Sequence, residues 1–185
     1  MYVNNQFNKS ILLSLLLFPL TNIVLFVFNN GEAGLDCSWI FIVELILINF
    51  AVALAEELFF RGLLLREMVF GFEIKSMIAS VAVSIAFGVM HLLNVNSYAS
   101  LGYAIVQSIC AFAVSINLSA IFIKSKSLLW CVAVHGLINI TSVGLEFNNE
   151  RFVLGNIEYV IFLLVSFIYL IYGVKMLNDE VMEGR

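Results

Sequence analysis

The sequence predicts an all-α protein, a polytopic membrane helix bundle with about six transmembrane helices, and three observations predict it. Of its 185 residues 62% are hydrophobic and the mean hydropathy is +1.04, against roughly 45–50% apolar residues in soluble domains. A chain of this size keeps so much of its surface exposed that the apolar excess has to face lipid. Apolar runs near the ~20 residues needed to cross a bilayer recur along the whole chain. The breaks between them hold turn formers or charge: Asn29-Asn30-Gly31-Glu32, Gly71-Phe72-Glu73, Asn94-Val95-Asn96-Ser97, Lys124-Ser125-Lys126-Ser127 and Asn148-Asn149-Glu150.

Taken in order, the first span covers Ser10–Phe28. Lys9 precedes it, but the run is long and no A-x-A cleavage site follows, so it reads as a retained helix rather than a signal peptide. Pro19 falls within it and is expected to kink it. The second stretch, Ser38–Phe70, is longer than a straight crossing needs. Ile74–Leu93, Tyr98–Ile123, Leu128–Leu145 and Asn156–Leu177 complete the set. One transmembrane domain over residues 1–185 is expected. With a single proline and 12% charged residues, linkers and disordered tails are disfavoured, and no repeat or low-complexity tract interrupts the pattern.

Charge sets the expected direction, because cytoplasmic flanks collect Lys and Arg. Threading six spans from an inner N-terminus places Lys9, Arg61, Arg66, Lys75, Lys124, Lys126, Lys175 and Arg185 inside. Only Arg151 falls outside, and the first outer loop carries Glu32 and Asp36. Both termini are therefore expected in the cytoplasm. The net charge of −4 gives no case for nucleic acid. Cys37, Cys110 and Cys131 form no CxxC pair, so they read as small buried hydrophobes rather than disulfides or a zinc site.

Ionisable groups at membrane depth are costly and mark pathways or sites. Glu44 and Glu158 lie near span ends, but three clusters lie within spans. In Glu56-Glu57-Leu58-Phe59-Phe60-Arg61-Gly62, Glu57 and Arg61 are four apart and can pair on one helix face. Glu56 is turned about 100° away and is left to face a cavity. In Ser84-Ile85-Ala86-Phe87-Gly88-Val89-Met90-His91, Ser84, Phe87, Gly88 and His91 share a face, and Gly88 permits close approach of another helix. In His135-Gly136-Leu137-Ile138-Asn139, His135 and Asn139 share a face that Ser142 continues. Each cluster alone has a structural reading: a charged helix end, a capping histidine, or interhelical hydrogen bonds. Together they bring a carboxylate, two imidazoles and an amide to one bundle interior, the parts needed to activate water and hold an oxyanion.

At these residues the chain resembles the CAAX prenyl protease and bacteriocin-processing family of membrane peptidases. The family's motifs are two glutamates, three variable residues and an arginine (Glu56 to Arg61), phenylalanine–x3–histidine (Phe87 to His91) and histidine–x3–asparagine (His135 to Asn139). The resemblance covers about residues 54–139. It implies an intramembrane endopeptidase acting on a peptide or protein substrate at the bilayer. Glu56 would be the general base, and His91 would orient the water or protonate the leaving amine. His135 with Asn139 would stabilise the oxyanion, with Glu57 and Arg61 a supporting salt bridge. It favours a metal-independent reaction with no cofactor. The alternative is zinc held by Glu56, His91 and His135, although the HExxH motif is absent. A non-catalytic bacteriocin self-immunity or scaffold protein of the same fold and a small proton-coupled transporter are the competing functions, and the membrane is expected to be bacterial. The threading sets Glu56 toward the inner half of the bilayer and His91 toward the outer end. They meet only if the long second stretch begins along the outer interface or tilts strongly.

Overall fold

The computed structural model describes residues 5–30, 38–94, 101–146 and 156–183. The helices are α1 (Asn5–Asn30), α2 (Trp39–Glu57), α3 (Ser76–His91), α4 (Leu101–Ser125), α5 (Leu128–Glu146) and α6 (Asn156–Glu183). The described residues contain no strand. Glu32, Asp36, Cys37, the loop residues Val95-Asn96-Ser97 and Asn148-Asn149-Glu150, Arg151 and Arg185 lie outside the described residues. α1 runs through Pro19 as one helix.

Local chemistry explains the boundaries that bear on the site. Ser38 caps α2, its Oγ accepting the Phe41 N–H at 3.3 Å. α2 does not stop at Glu57 but continues as a π-helix over Leu58–Leu65 and Glu67–Gly71. The turn that follows is closed by Phe72 N–H to Glu67 O and Ile74 N–H to Met68 O, both 2.8 Å. Between α4 and α5, Lys126 takes φ 52° and donates its N–H to Phe122 O at 2.7 Å, while Ser127 N–H donates to Ser125 Oγ at 3.1 Å.

Three described stretches are long and apolar enough to cross a membrane: Trp39–Gly71 with 33 residues, Leu101–Ser125 with 25 and Ile157–Asn178 with 22. α3 departs from the expected Ile74–Leu93 span. Ile74 and Lys75 belong to the preceding turn and Leu92–Asn94 form a 3-10 turn, leaving 16 helical residues. At 1.5 Å per residue that is roughly 24 Å, short of a ~30 Å hydrocarbon core.

α4 is the central helix. Its second half, from Ala113 to Ile123, is buried without interruption, chiefly between α3 and α6, while α5 packs on α1 and α2. Small residues set the closest approaches. A Cβ on Gly88 would lie 3.0 Å from Ser108 O and 3.2 Å from Phe112 Cβ, so the expected close approach at this glycine is made to α4. A Cβ on Gly173 of α6 would lie 2.9 Å from both N and Cα of Asn117. The outer surface is apolar. On α2 Leu47, Ile48 and Leu54 are exposed, as are Leu58 on its π tail and Leu164, Phe167 and Ile171 on α6. Such a surface is a liability in water and the required one in lipid. The protein is a polytopic membrane helix bundle.

Candidate active site

The switch from α- to π-helix comes directly after the glutamate pair, and π-turns of this kind occur frequently at functional sites. It puts Phe60, Arg61 and Leu65 on the buried side of the segment. Arg61 is fully buried, so it is not a flank charge, and it drops out of the residues that argue orientation. Its Nη1 lies 2.9 Å from Glu57 Oε1, the pairing expected from the four-residue spacing, and both side chains are 0% exposed. Its Nη2 donates to Ser115 Oγ at 2.7 Å and to Ser115 O at 3.1 Å. A buried ion pair needs such further hydrogen bonds to offset the loss of water. Ser115 is the anchor on α4 that no sequence motif pointed to.

From α5, His135 reaches the same carboxylate. Its Nδ1 donates to Glu57 Oε1 at 2.8 Å, which turns Nε2 toward Glu56 Oε2 at 3.4 Å. Glu56 itself remains about one-third exposed. The order Glu56–His135–Glu57–Arg61 therefore links α5 to both turns of the α2 motif.

His91 arrives from α3. Its Nδ1 donates to Phe87 O at 2.8 Å, leaving Nε2 as the nitrogen available to other groups. Phe87 is the aromatic centre of the cluster. Its ring centroid lies 4.7 Å from that of His91, 5.7 Å from His135 and 4.9 Å from Phe60, and the Arg61 guanidinium carbon lies 5.0 Å from it. The Phe60–Phe87 contact joins the π tail to α3. The π tail of α2 and α3 pack on each other across the turn at Phe72–Lys75. The long second stretch carries Glu56 near its middle.

His91, His135 and Asn139 line one cavity of about 290 Å³, together with Phe87, Asn22 and Asn49. Asn22 is a second residue that the motifs missed. It lies on α1, is 1% exposed, and its Nδ2 donates to Ser142 Oγ at 3.0 Å and Thr141 Oγ1 at 3.1 Å. A lone amide inside an apolar span is its only sequence signal. Ser142, expected on the His135 face, lines the cavity as well.

Among the described residues no three His, Cys, Asp or Glu side chains are grouped to hold a metal ion, and both nitrogens of His135 are already directed at glutamates.

Residues 37–141 match the family model of the type II CAAX prenyl endopeptidase Rce1-like proteins. The chain belongs to that family. No curated protein and no solved structure gives a match. The matched stretch contains the Glu56-to-Arg61, Phe87-to-His91 and His135-to-Asn139 motifs of this Rce1-like chain, and it leaves out α1 with Asn22 and all of α6. Members of this family are typically membrane endopeptidases.

Proposed function

We propose that the protein is an endopeptidase that hydrolyses a peptide bond of a membrane-associated peptide or protein with water activated by Glu56 and without a metal. The observation that carries this reading is the contact of Glu56 on α2 with His135 on α5, with His135 and the α3 residue His91 both against the Phe87 ring, beside a polar-lined cavity. Water bound between Glu56 and His91 passes one proton to the Glu56 carboxylate as its oxygen attacks the substrate carbonyl carbon. The negative charge on the carbonyl oxygen is met by Nε2–H of His135 and the amide of Asn139. The C–N bond then breaks, and the amine leaves with the proton first taken by Glu56, relayed through Nε2 of His91. Glu57 and Arg61 act through His135. With Nδ1 bound to Glu57, the other ring nitrogen is held toward the reaction, and an imidazolium there alternates with two carboxylates and a guanidinium to give a neutral row. Both termini are read as cytoplasmic, supported by Lys75, Lys124 and Lys126 near the helix ends on one side of the bundle.

The test is cleavage of a peptide library by the purified protein in liposomes. Glu56→Gln and His91→Ala each abolish product in a protein that still folds, and unchanged cleavage in either overturns the assigned roles. A second reading, non-catalytic bacteriocin immunity, is favoured by the direct Glu56–His135 contact. Immunity retained by folded Glu56→Gln would support it.

A further inference from the structure

On the side of α2 away from the glutamates, a groove of about 600 Å³ runs between the π-helical tail and the α4–α5 turn. Leu58, Leu63, Phe70 and Phe122 line it, and so do Arg66 and Lys126. The polarity has a direction. Along the π tail Leu58 and Leu63 come first, Arg66 follows and Phe70 comes last, and Lys126 follows Phe122 just past the end of α4. Both elements run toward the same end of the bundle, where Lys75 and Lys124 also lie. The groove is therefore apolar at Leu58, Leu63 and Phe122, toward the middle of the bundle, with both cations nearer its end and the Phe70 ring beyond Arg66. Leu58, Leu63 and Phe70 are each about half exposed along it, at 51%, 52% and 51%.

Neither cation is paired with an acid among the described residues. The acid nearest in sequence, Glu67, folds its carboxylate toward Gly71. Lys126 in addition holds the left-handed conformation, φ 52°, that a glycine would adopt without strain. Two unpaired cations near one end of an apolar slot, on a surface that faces lipid, are complementary to one kind of molecule. It carries a negative headgroup at the membrane surface and a hydrocarbon chain pointing inward. A soluble anion would leave the leucine wall unused, and a neutral lipid would leave the charges unused.

We propose that this groove is a binding site for an anionic phospholipid, with the phosphate between Arg66 and Lys126 and one acyl chain along Leu58, Leu63 and Phe122. The site is separate from the cavity beside His91 and His135, and its occupant rests against the outer face of the π-helical segment whose inner face carries Arg61.

The experiment is native mass spectrometry of the full chain released from a neutral detergent, with phosphatidylglycerol or phosphatidylcholine added at equal concentration. The wild type retains phosphatidylglycerol in preference, by about fivefold for each cation engaged. Arg66→Ala/Lys126→Ala retains the two lipids equally. Lys126→Gly removes one charge while relaxing the turn, so it keeps the fold and loses about fivefold of the preference. Glycerol phosphate in excess leaves the bound phosphatidylglycerol in place. Equal retention of the two lipids by the wild type, or an undiminished preference in Lys126→Gly, overturns the proposal. Displacement by glycerol phosphate overturns it in favour of a soluble-anion site.

Discussion

His135 and Glu57 meet on a single atom: the imidazole Nδ1 lies 2.8 Å from Glu57 Oε1, the same oxygen that Arg61 Nη1 holds at 2.9 Å. The carboxylate is 0% exposed, and its other oxygen has no partner among the described residues. One buried oxygen thus fixes a cation from its own helix and an imidazole from another. Strength and orientation are coupled there, since whatever loosens Arg61 also frees His135 to turn.

The coupling predicts a particular pattern in double variants. Arg61→Met leaves Glu57 buried with His135 as its only partner, and it should lower stability by about 3–5 kcal/mol. Adding Glu57→Leu removes the orphaned charge, so the double variant should lose less than Arg61→Met alone. Unfolding by SDS titration of the purified protein measures all of them. A double variant less stable than Arg61→Met would mean that the pair is worth more than the charge it neutralises.

Glu56 stands in contrast to its neighbour. Its side chain is about one-third exposed and its contact with His135 is long, 3.4 Å. Glu56→Gln preserves shape and should leave thermal unfolding unchanged while lowering peptide cleavage by about 10²–10⁴-fold, the usual range for loss of a general base. Cleavage and melting are to be measured on the same preparation. A large fall in stability would make Glu56 a structural residue instead.

These two glutamates also mark how far sequence carries. The Glu57–Arg61 pair was legible because helical period alone places residues four apart on one face. The link from His135 to Glu57 joins residues far apart in the chain, and no local rule gives it. The motif resemblance placed both in one family pattern without saying which atoms touch. The π-helical run after Glu57 was hidden, since Leu58–Leu65 is as apolar as any α-helical stretch around it. The end of α3 lies just inside its apolar run for the same reason. Leu92 and Leu93 extend the hydrophobic run while the backbone has already left the α-helix. Ser115 and Asn22 lie outside the motifs, and only tertiary packing reveals what they hold.

Two glycines at helix contacts should respond differently to the same substitution. A Cβ at Gly173 would lie 2.9 Å from backbone atoms of Asn117, in a buried helix that cannot give way. A Cβ at Gly136 would lie 2.6 Å from the Phe50 ring, a side chain that is 36% exposed and free to swing outward. Gly173→Ala should therefore cost about 1–3 kcal/mol through overpacking, and Gly136→Ala about 1 kcal/mol or less. Unfolding of the two variants side by side checks the order, and a reversed order would show that α4 and α6 separate easily.

Asn22 offers the sharpest separation of packing from chemistry. Thr141 Oγ1 donates to Leu137 O at 2.9 Å, and Ser142 Oγ donates to Ile138 O at 2.8 Å. Both hydroxyls are thus engaged as donors within α5, and each can only accept from Asn22 Nδ2. The amide orientation follows, and α1 is tied to the stretch of α5 just beyond Asn139. Asn22→Leu removes that tie without opening a void. Hydrogen bonds between helices in a bilayer average only ~0.6 kcal/mol, so stability should fall by no more than about 1–2 kcal/mol. Because Asn22 and Ser142 line the same cavity as Asn139, cleavage should fall through a raised KM more than through kcat. Equal loss in both constants would place Asn22 among the groups that act on the transition state rather than on the walls around the substrate.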